Sequence, residues 1–215
     1  MPTSRPFQRA GHAICGALFS IFVLGAVPGF AQGDNTASQA ASLRLEKGDV
    51  EVGAILGSTL PVGWLRAHAD RRLTMASLDV GRIVSARKGR GLAAGNFEFL
   101  LEITPLMALH QPAHAFGLTA SPLHMRWNFA APPTPRLRLF AEVSGGIIYT
   151  TQAVPIGTTS FNFIDQAGFG VRIASRARRQ WLAGYRFQHI SNAGRVEPNP
   201  GANFNFIYIG VTFVH

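Results

Sequence analysis

The chain has 215 residues, a formal net charge of +9 and a single cysteine, so a disulfide-linked scaffold is excluded. The basic balance is compatible with nucleic acid or with an anionic lipid surface as partner. Beyond residue 31, no apolar stretch approaches the roughly 20 residues that a membrane-spanning helix needs. If the mature chain lies in a membrane, it must form a closed β-barrel, because only helices and closed barrels satisfy every backbone group in lipid.

Residues 1–31 have the features of a secretory signal peptide. Arg5 and Arg9 provide the positive start, an apolar run follows, and small residues up to Ala31 allow cleavage. Cleavage would remove Cys15 and both arginines, leaving 18 of the 20 basic residues against 11 acidic ones. Because an exported protein rarely meets nucleic acid, we expect no nucleic-acid partner and favour a surface rich in anionic phosphate.

The rest of the chain divides into a short leader and one folded domain. Residues 32–46 are small and polar and are predicted to be a flexible leader, and residues 47–215 are predicted to be the domain. It contains eight segments in which the side chains alternate between two faces, with turn residues between them. The alternation is weakest in the first two. The predicted strands are 48–58, 70–84, 95–107, 114–129, 135–150, 160–174, 179–191 and 202–213.

The later strands combine a bulky apolar face with a polar one. Charges of both signs occupy the polar faces, which suits a paired interior; they are Glu98, Glu102, Glu142, Arg126, Arg138, Arg172 and Arg186. A soluble, lipocalin-like barrel with the inverse arrangement fits the same alternation. The large aromatic residues of the apolar faces and the aromatic end of the last strand at Phe213 favour the membrane form. The sequence therefore predicts an eight-stranded antiparallel outer-membrane β-barrel.

The strand count also predicts the orientation of this barrel. With an even number of strands both termini are periplasmic, so residues 131–135 and 175–179 are expected to be periplasmic turns. Strand seven then runs outward and ends near the extracellular rim. An eight-stranded lumen is normally filled by side chains, so we expect no transport pore.

Strand seven carries the residues that suggest chemistry. If Arg186 and Gln188 point into the polar lumen, His189 and Ser191 point at lipid, where polar side chains are costly and call for an explanation. Residues i and i+2 on one face of a strand lie roughly 6.5–7 Å apart at Cα, so an imidazole can reach a serine hydroxyl. The pair could act as general base and nucleophile in acyl transfer. A histidine and a serine tolerated at a membrane interface remain the simpler alternative.

The segment His189-Ile190-Ser191-Asn192-Ala193-Gly194, followed by Pro198-Asn199-Pro200-Gly201 and a final aromatic strand, resembles the lipid A 3-O-deacylases (PagL) and their acyloxyacyl-hydrolase-like relatives. The resemblance spans about residues 95–213. It implies an eight-stranded outer-membrane barrel with the active site on its lipid-facing exterior. The implied reaction is hydrolysis of the ester-linked acyl chain at position 3 of lipid A, without metal or other cofactor. It further implies that Ser191 is the nucleophile, that His189 is its base, and that Asn192 and Gly194 serve the oxyanion hole.

The chain departs from this family at one position. The acidic member of the family's triad lies fourteen residues after the histidine, and that position is Asn203 here. An amide oxygen can hold the imidazole but cannot stabilise its charged form; in a serine protease an acid-to-amide change costs about 10⁴ in rate. Three interpretations stay open: a weaker orienting residue, which we favour, an inactive homologue, or replacement of the acid by Glu197.

The sequence therefore predicts a serine esterase of the bacterial outer membrane that acts on lipopolysaccharide, with a non-catalytic structural or lipid-binding barrel as the alternative. Arg195 is predicted to bind substrate, since guanidinium groups suit lipid A phosphates. Arg66, Arg71 and Arg72 are either further phosphate contacts or solvated rim charges. His110 and His114 have a spacing that a metal could use, but the Pro112 between them favours a loop. No oligomeric state is predicted.

Overall fold

The computed structural model describes residues 45–111, 114–130, 136–176 and 178–215. The predicted signal peptide and the predicted leader as far as residue 44 lie outside the described residues. So do the predicted turn at 131–135 and residue 177 of the predicted turn at 175–179.

Eight antiparallel strands form a closed barrel in which each strand pairs with the next and the last pairs with the first. The fold predicted from the alternation is confirmed, including the two weakly patterned strands at the start. The strands are β1 (Val50–Leu60), β2 (Arg72–Ile83), β3 (Gly95–His110), β4 (His114–Phe129), β5 (Leu137–Thr150), β6 (Phe161–Arg176), β7 (Arg179–Ser191) and β8 (Ala202–Val214).

Two short 3-10 turns, Trp64–Arg66 and Gly91–Ala93, lie in the connections that follow β1 and β2. Within the described ranges, no helix is long and apolar enough to cross a membrane.

Apolar side chains cover the outer wall of the barrel. The predicted apolar face of β3 is outside, and Phe97, Phe99, Leu101 and Ile103 are each 42–46% exposed. A barrel in water would place such residues inside, so the inverse, lipocalin-like arrangement is wrong. A continuous apolar exterior around a closed barrel is a lipid-facing surface.

The lumen is polar where the sequence predicted paired charges. Glu142 accepts hydrogen bonds from Arg126, Arg186 and Tyr208. Arg172 bridges Glu51 and Glu98. Buried charges are tolerated when they are paired and hydrogen-bonded in this way. The alternation inherent in each strand therefore builds an ionic interior and an apolar exterior.

The barrel end remote from Val50 and Val214, called here the distal end, is filled differently. The register of β3 shifts between Thr104 and Met107, next to Pro105, and that of β4 shifts between Ala120 and Leu123, next to Pro122. Proline cannot donate a ladder hydrogen bond, so such shifts are expected beside it. Beyond the shifts, apolar residues face inward and pack together; they include Leu73, Met75, Met107, Leu109, Ile148 and Phe204. This apolar cluster lies inside the distal half of the barrel.

Candidate active site

The outer wall near the distal end carries a row of polar residues on three neighbouring strands. In the register of the sheet, His189 of β7 lies opposite Asp165 of β6 on one side and Asn203 of β8 on the other. Ser191 lies opposite Phe163. Directly opposed residues in an antiparallel sheet point to the same face. Their side chains therefore meet on one patch of the wall.

The side chains of β7 face the two sides of the wall as the alternation along the strand predicts. Arg186 and Gln188 are buried in the lumen, where Arg186 donates to Glu102 and Gln188 donates to Gln166. His189 and Ser191 are half-buried on the opposite, outer face. The structure thus has the imidazole and the hydroxyl on one side of the strand.

His189 is held by the residue at the divergent triad position. Its Nδ1 lies 2.6 Å from Oδ1 of Asn203. Because an amide oxygen can only accept, Nδ1 carries the proton and Nε2 keeps its lone pair. This is the tautomer that a general base for a serine needs. In the described part of the chain His189 makes no direct hydrogen bond to Ser191, and such bonds are often long before substrate binds.

Gly201 leaves the space that the imidazole occupies. Its φ is +64°, and a Cβ built on it would lie 2.8 Å from Cε1 of His189 and 3.4 Å from Nε2. Real Cβ atoms do not approach other atoms this closely. A glycine is therefore required here both by the backbone conformation and by the ring beside it.

We expect Gly201→Ala to lower the rate of the reaction at this site at least tenfold, because the methyl group displaces His189 from Asn203. The matched control is Gly157→Ala, which also places alanine at a positive φ, +85°, but has no atom within 4 Å of the new Cβ. Steady-state kinetics on both variants check this. Equal losses in the two would mean that backbone strain, and not the imidazole, is responsible.

The two residues expected to stabilise an oxyanion are engaged in their own loop, residues 192–201. The N–H of Gly194 donates to Oδ1 of Asn192 at 2.9 Å, and Nδ2 of Asn192 donates to the carbonyl of Val196 at 2.7 Å. The structure brings Asn192 and Gly194 together, but with their donors turned into the loop. Asn199, which the sequence analysis left unassigned, accepts the N–H of Asn192 through Oδ1. In the contacts of the described residues, its Nδ2 stays available for a ligand.

A second loop, residues 61–71, lies against the outer wall beside the site. Nδ2 of Asn205 donates to the carbonyls of Val62 and Trp64, at 3.1 and 2.9 Å. Tyr185 donates to Oδ1 of Asn205 at 2.6 Å, and the ring of Trp64 packs 5.8 Å from that of Tyr185. Asn205 lies on the outer face of β8, but the loop buries it. The only sequence signal for this was an asparagine at an outward position.

The same loop touches the triad position itself. The backbone N–H of His68 donates to the carbonyl of Asn203 at 2.9 Å. Burial, with a smaller contribution from the charge of Arg71, lowers the pKa of His68 below its ordinary value, although Asp70 acts in the opposite direction. Burial and Arg71 therefore favour the neutral form of the His68 imidazole.

The remaining candidates lie in the 192–201 loop or at the paired ends of β3 and β4. Glu197 is exposed in the 192–201 loop, and no hydrogen bond joins it to His189 among the described residues. Arg195 is exposed, with its guanidinium 5.6 Å from the ring of Phe161. His110 and His114 are not in a loop, as was expected, but form the last pair of β3 and β4. Their Nδ1 atoms are 3.3 Å apart.

Asp165 is the residue that the sequence analysis missed. It is exposed on the outer wall opposite His189, and its carboxylate leans toward Gly145 of β5. Alternation alone gives its face, but only the pairing of β6 with β7 gives its neighbour. A carboxylate exposed on an apolar, lipid-facing wall is costly, which makes Asp165 a candidate for a role at this site.

Comparison with known proteins identifies the fold and the family. The family model described as lipid A 3-O-deacylase (PagL) matches residues 79–212. The crystal structure of the outer-membrane enzyme PagL is 18% identical and superposes with a TM-score of 0.53, covering 74% of this chain and 97% of that one. The N-terminal β-barrel domain of Pseudomonas aeruginosa OprF is 14% identical, with a TM-score of 0.46 and coverages of 79% and 98%. No curated protein matches the sequence.

The family model covers well over half of the chain and runs from the last part of β2, at residue 79, to residue 212 in β8. The solved PagL structure has the same barrel. The lipid-facing exterior, the ionic lumen and the polar patch on the outer wall fit a protein of the bacterial outer membrane. The chain is therefore an outer-membrane β-barrel that belongs to the lipid A 3-O-deacylase (PagL) family.

Proposed function

We propose that this protein is a metal-independent serine esterase that hydrolyses the ester-linked acyl chain at position 3 of lipid A in lipopolysaccharide. Ser191 is the nucleophile, His189 the general base and Asn203 the residue that orients the imidazole. The observation that carries the proposal is the 2.6 Å hydrogen bond from His189 to Asn203 on the outer wall, with Ser191 on the same face of β7.

In this mechanism Nε2 of His189 takes the proton of Ser191 while Oγ attacks the ester carbonyl carbon. The tetrahedral intermediate collapses when the imidazolium gives the proton to the sugar 3-oxygen; the bond from the carbonyl carbon to that oxygen breaks, the sugar leaves with a free 3-hydroxyl, and the fatty acyl group stays on Ser191. Water, deprotonated by the same imidazole, then attacks the acyl-enzyme and releases the fatty acid. Acylation and deacylation each begin with an unprotonated Nε2, and a hydrogen bond from Nδ1–H to Asn203 favours that tautomer.

The 192–201 loop supplies the oxyanion donors in this proposal. Asn192 and Gly194 keep the loop in shape, and a small rotation of Asn192 would free the N–H of Gly194 for the oxyanion. Asn199 can donate through Nδ2 without any such change. Preorganised donors of this kind are worth about 3–4 kcal/mol of barrier in other hydrolases.

The surroundings suit a lipid substrate with anionic phosphates. By the parity of the strands, the distal end faces outward, so the patch meets the outer leaflet. Arg195 is exposed beside the site, and a guanidinium pairs well with phosphate. Trp64, 60% exposed on the 61–71 loop, offers an apolar wall for an acyl chain. Lipid A and the surrounding membrane lipid are thus the expected partners.

Asp165 provides the negative charge that Asn203 lacks. Directly opposed residues have Cβ atoms about 4.5–5.5 Å apart, so a rotation about the Asp165 side-chain bonds brings its carboxylate toward the imidazole. The charge would stabilise the imidazolium that forms during attack. Asn203 therefore selects the tautomer, and Asp165 supplies the electrostatic part of a triad acid's role.

We expect Asp165→Asn to lower kcat about tenfold, equivalent to about 1.4 kcal/mol, with little change in KM. Asparagine keeps the size of the side chain and removes only its charge. Glu197→Gln is the matched control and is expected to be neutral. The opposite pattern, a loss in Glu197→Gln and none in Asp165→Asn, would transfer the acid's role to Glu197.

The function itself is tested with purified, folded protein in detergent and lipopolysaccharide as substrate. Mass spectrometry of the lipid A is expected to reveal loss of the mass of one 3-linked acyl chain together with the free fatty acid. Folding is checked by the shift of the unheated barrel on a denaturing gel. An unchanged lipid A spectrum from folded protein would leave a non-catalytic structural or lipid-binding barrel as the function.

A further inference from the structure

Three metal-ligating side chains converge in the lumen on neighbouring strands. Asp79 of β2, Glu102 of β3 and His124 of β4 each offer one ligand atom, and these atoms lie within 4.8 Å of one another. Asp79 and Glu102 are direct partners in the sheet. All three side chains are at most 1% exposed, so water does not solvate them.

These three side chains have possible metal-ligand atoms that form no hydrogen bond with the rest of the lumen. Both carboxylate oxygens of Asp79, Oε1 of Glu102 and Nδ1 of His124 have no hydrogen-bond partner within the described ranges. Burying such atoms without a partner costs several kcal/mol. Other buried polar atoms of the lumen also lack a partner, but only at these three residues, within the described ranges, do such atoms converge as a group of possible metal ligands.

The lumen contains more buried carboxylates than guanidinium groups, so a bound cation would balance its charge. Five carboxylates are buried among the described residues, namely Glu51, Asp79, Glu98, Glu102 and Glu142. Three guanidinium groups oppose them, from Arg126, Arg172 and Arg186. The salt bridges of these arginines reach every carboxylate except that of Asp79. With every carboxylate ionised and His124 neutral, two negative charges are left over, which one divalent cation neutralises.

His124 is held in the tautomer that a metal requires. Its Nε2 lies 3.1 Å from Oε2 of Glu142, and a carboxylate accepts, so Nε2 carries the proton. Nδ1 then keeps its lone pair and lies 3.8 Å from Oε2 of Glu102, beyond hydrogen-bond distance. A carboxylate behind a histidine is the usual outer shell of a protein metal ligand.

We propose that the lumen binds one divalent transition-metal cation, Zn²⁺ or Mn²⁺, through Asp79, Glu102 and His124. Two carboxylates with one imidazole favour these cations over Mg²⁺ and Ca²⁺, which prefer oxygen ligands alone. The cation links β2, β3 and β4 from inside the barrel. It takes no part in ester hydrolysis, because His189 and Ser191 lie on the outer wall.

The test begins with the mature protein refolded from urea into detergent, in the presence of Zn²⁺, Mn²⁺ or a chelator. After removal of free metal, elemental analysis is expected to find about one Zn²⁺ per folded wild-type chain. Asp79→Asn and His124→Gln should each reduce this at least tenfold. Glu98→Gln, which removes another buried carboxylate, is the control and should keep the metal. Barrel folding is followed on unheated gels.

Mn²⁺ provides a measurement that does not depend on any variant folding. When one equivalent of Mn²⁺ binds to the wild-type lumen, the sharp six-line electron paramagnetic resonance spectrum of aqueous Mn²⁺ should disappear. Zn²⁺ should compete with Mn²⁺ for the site. The proposal would be overturned if folded wild-type protein held under a tenth of an equivalent of metal and the Mn²⁺ signal did not decrease. In that case a proton shared between Asp79 and Glu102 would explain how the two carboxylates are accommodated. Metal retained by both site variants would also overturn it. Metal content is measured without substrate, so either result is independent of the esterase assay.

Discussion

Ser191→Ala is expected to reduce release of the 3-linked acyl chain from lipopolysaccharide by about 10⁴-fold or more, to the background of the assay. Serine hydrolases lose rate on this scale when the nucleophile is removed, and the remaining activity comes from binding and the oxyanion donors alone. His189→Ala should have a similar effect, since a serine without its base is a poor nucleophile. The double variant should be no worse than either single one, because the two residues act as a unit.

The measurement is the rate of fatty acid release with the lipid A mass spectrum as a second readout. Ser58→Ala is a suitable control, because Ser58 lies on the outer wall of β1, where its hydroxyl is hydrogen-bonded to Thr74. It removes a serine hydroxyl from the same surface without touching the site. Retention of more than a tenth of the wild-type rate by folded Ser191→Ala would exclude this serine as the nucleophile.

Asn203 is expected to limit the rate, and Asn203→Glu should raise it about ten- to a hundredfold. The glutamate would accept the Nδ1 proton as the amide does and would also stabilise the imidazolium by charge. The gain is smaller than the roughly 10⁴-fold loss on an acid-to-amide change in a serine protease, because Asn203 already selects the right tautomer. Asn203→Leu, which cannot accept a hydrogen bond, should lower the rate by at least a hundredfold.

The comparison of the three residues at position 203 in one kinetic series separates orientation from charge. The expected order of kcat is Glu, then Asn, then Leu, with KM nearly constant. A fall in Asn203→Glu would contradict the expectation and would mean that the amide is adapted to this site. Combining Asn203→Glu with Asp165→Asn adds a further check. Because Glu at position 203 supplies a charge, Asp165→Asn should lower kcat much less in this background than in the wild type.

Much of the fold was predictable because side-chain direction within a strand is local. Period-two alternation is enough to identify eight strands and to place the bulky residues of β3 outside. The same parity put His189 and Ser191 on the face opposite Arg186 and Gln188. The family motif then suggested roles for these residues, but it could not show whether Asn203 reaches the imidazole.

The contacts between strands required the tertiary structure. Asp165 is 24 residues before His189 in the chain and faces it only through the register of β6 and β7. Asn205 looks like a lipid-facing residue until the 61–71 loop covers it. The ligands at Asp79, Glu102 and His124 also meet only through pairing.

Sequence alone therefore determined the strands, the two faces of each strand and the side on which the predicted catalytic pair lies. These follow from backbone geometry that each strand has before it pairs. The tertiary structure decided which residues face one another across strands and which loop covers the outer wall. The pairing of each strand with its two neighbours and the closure of the barrel set that alignment, and both depend on all the strands together.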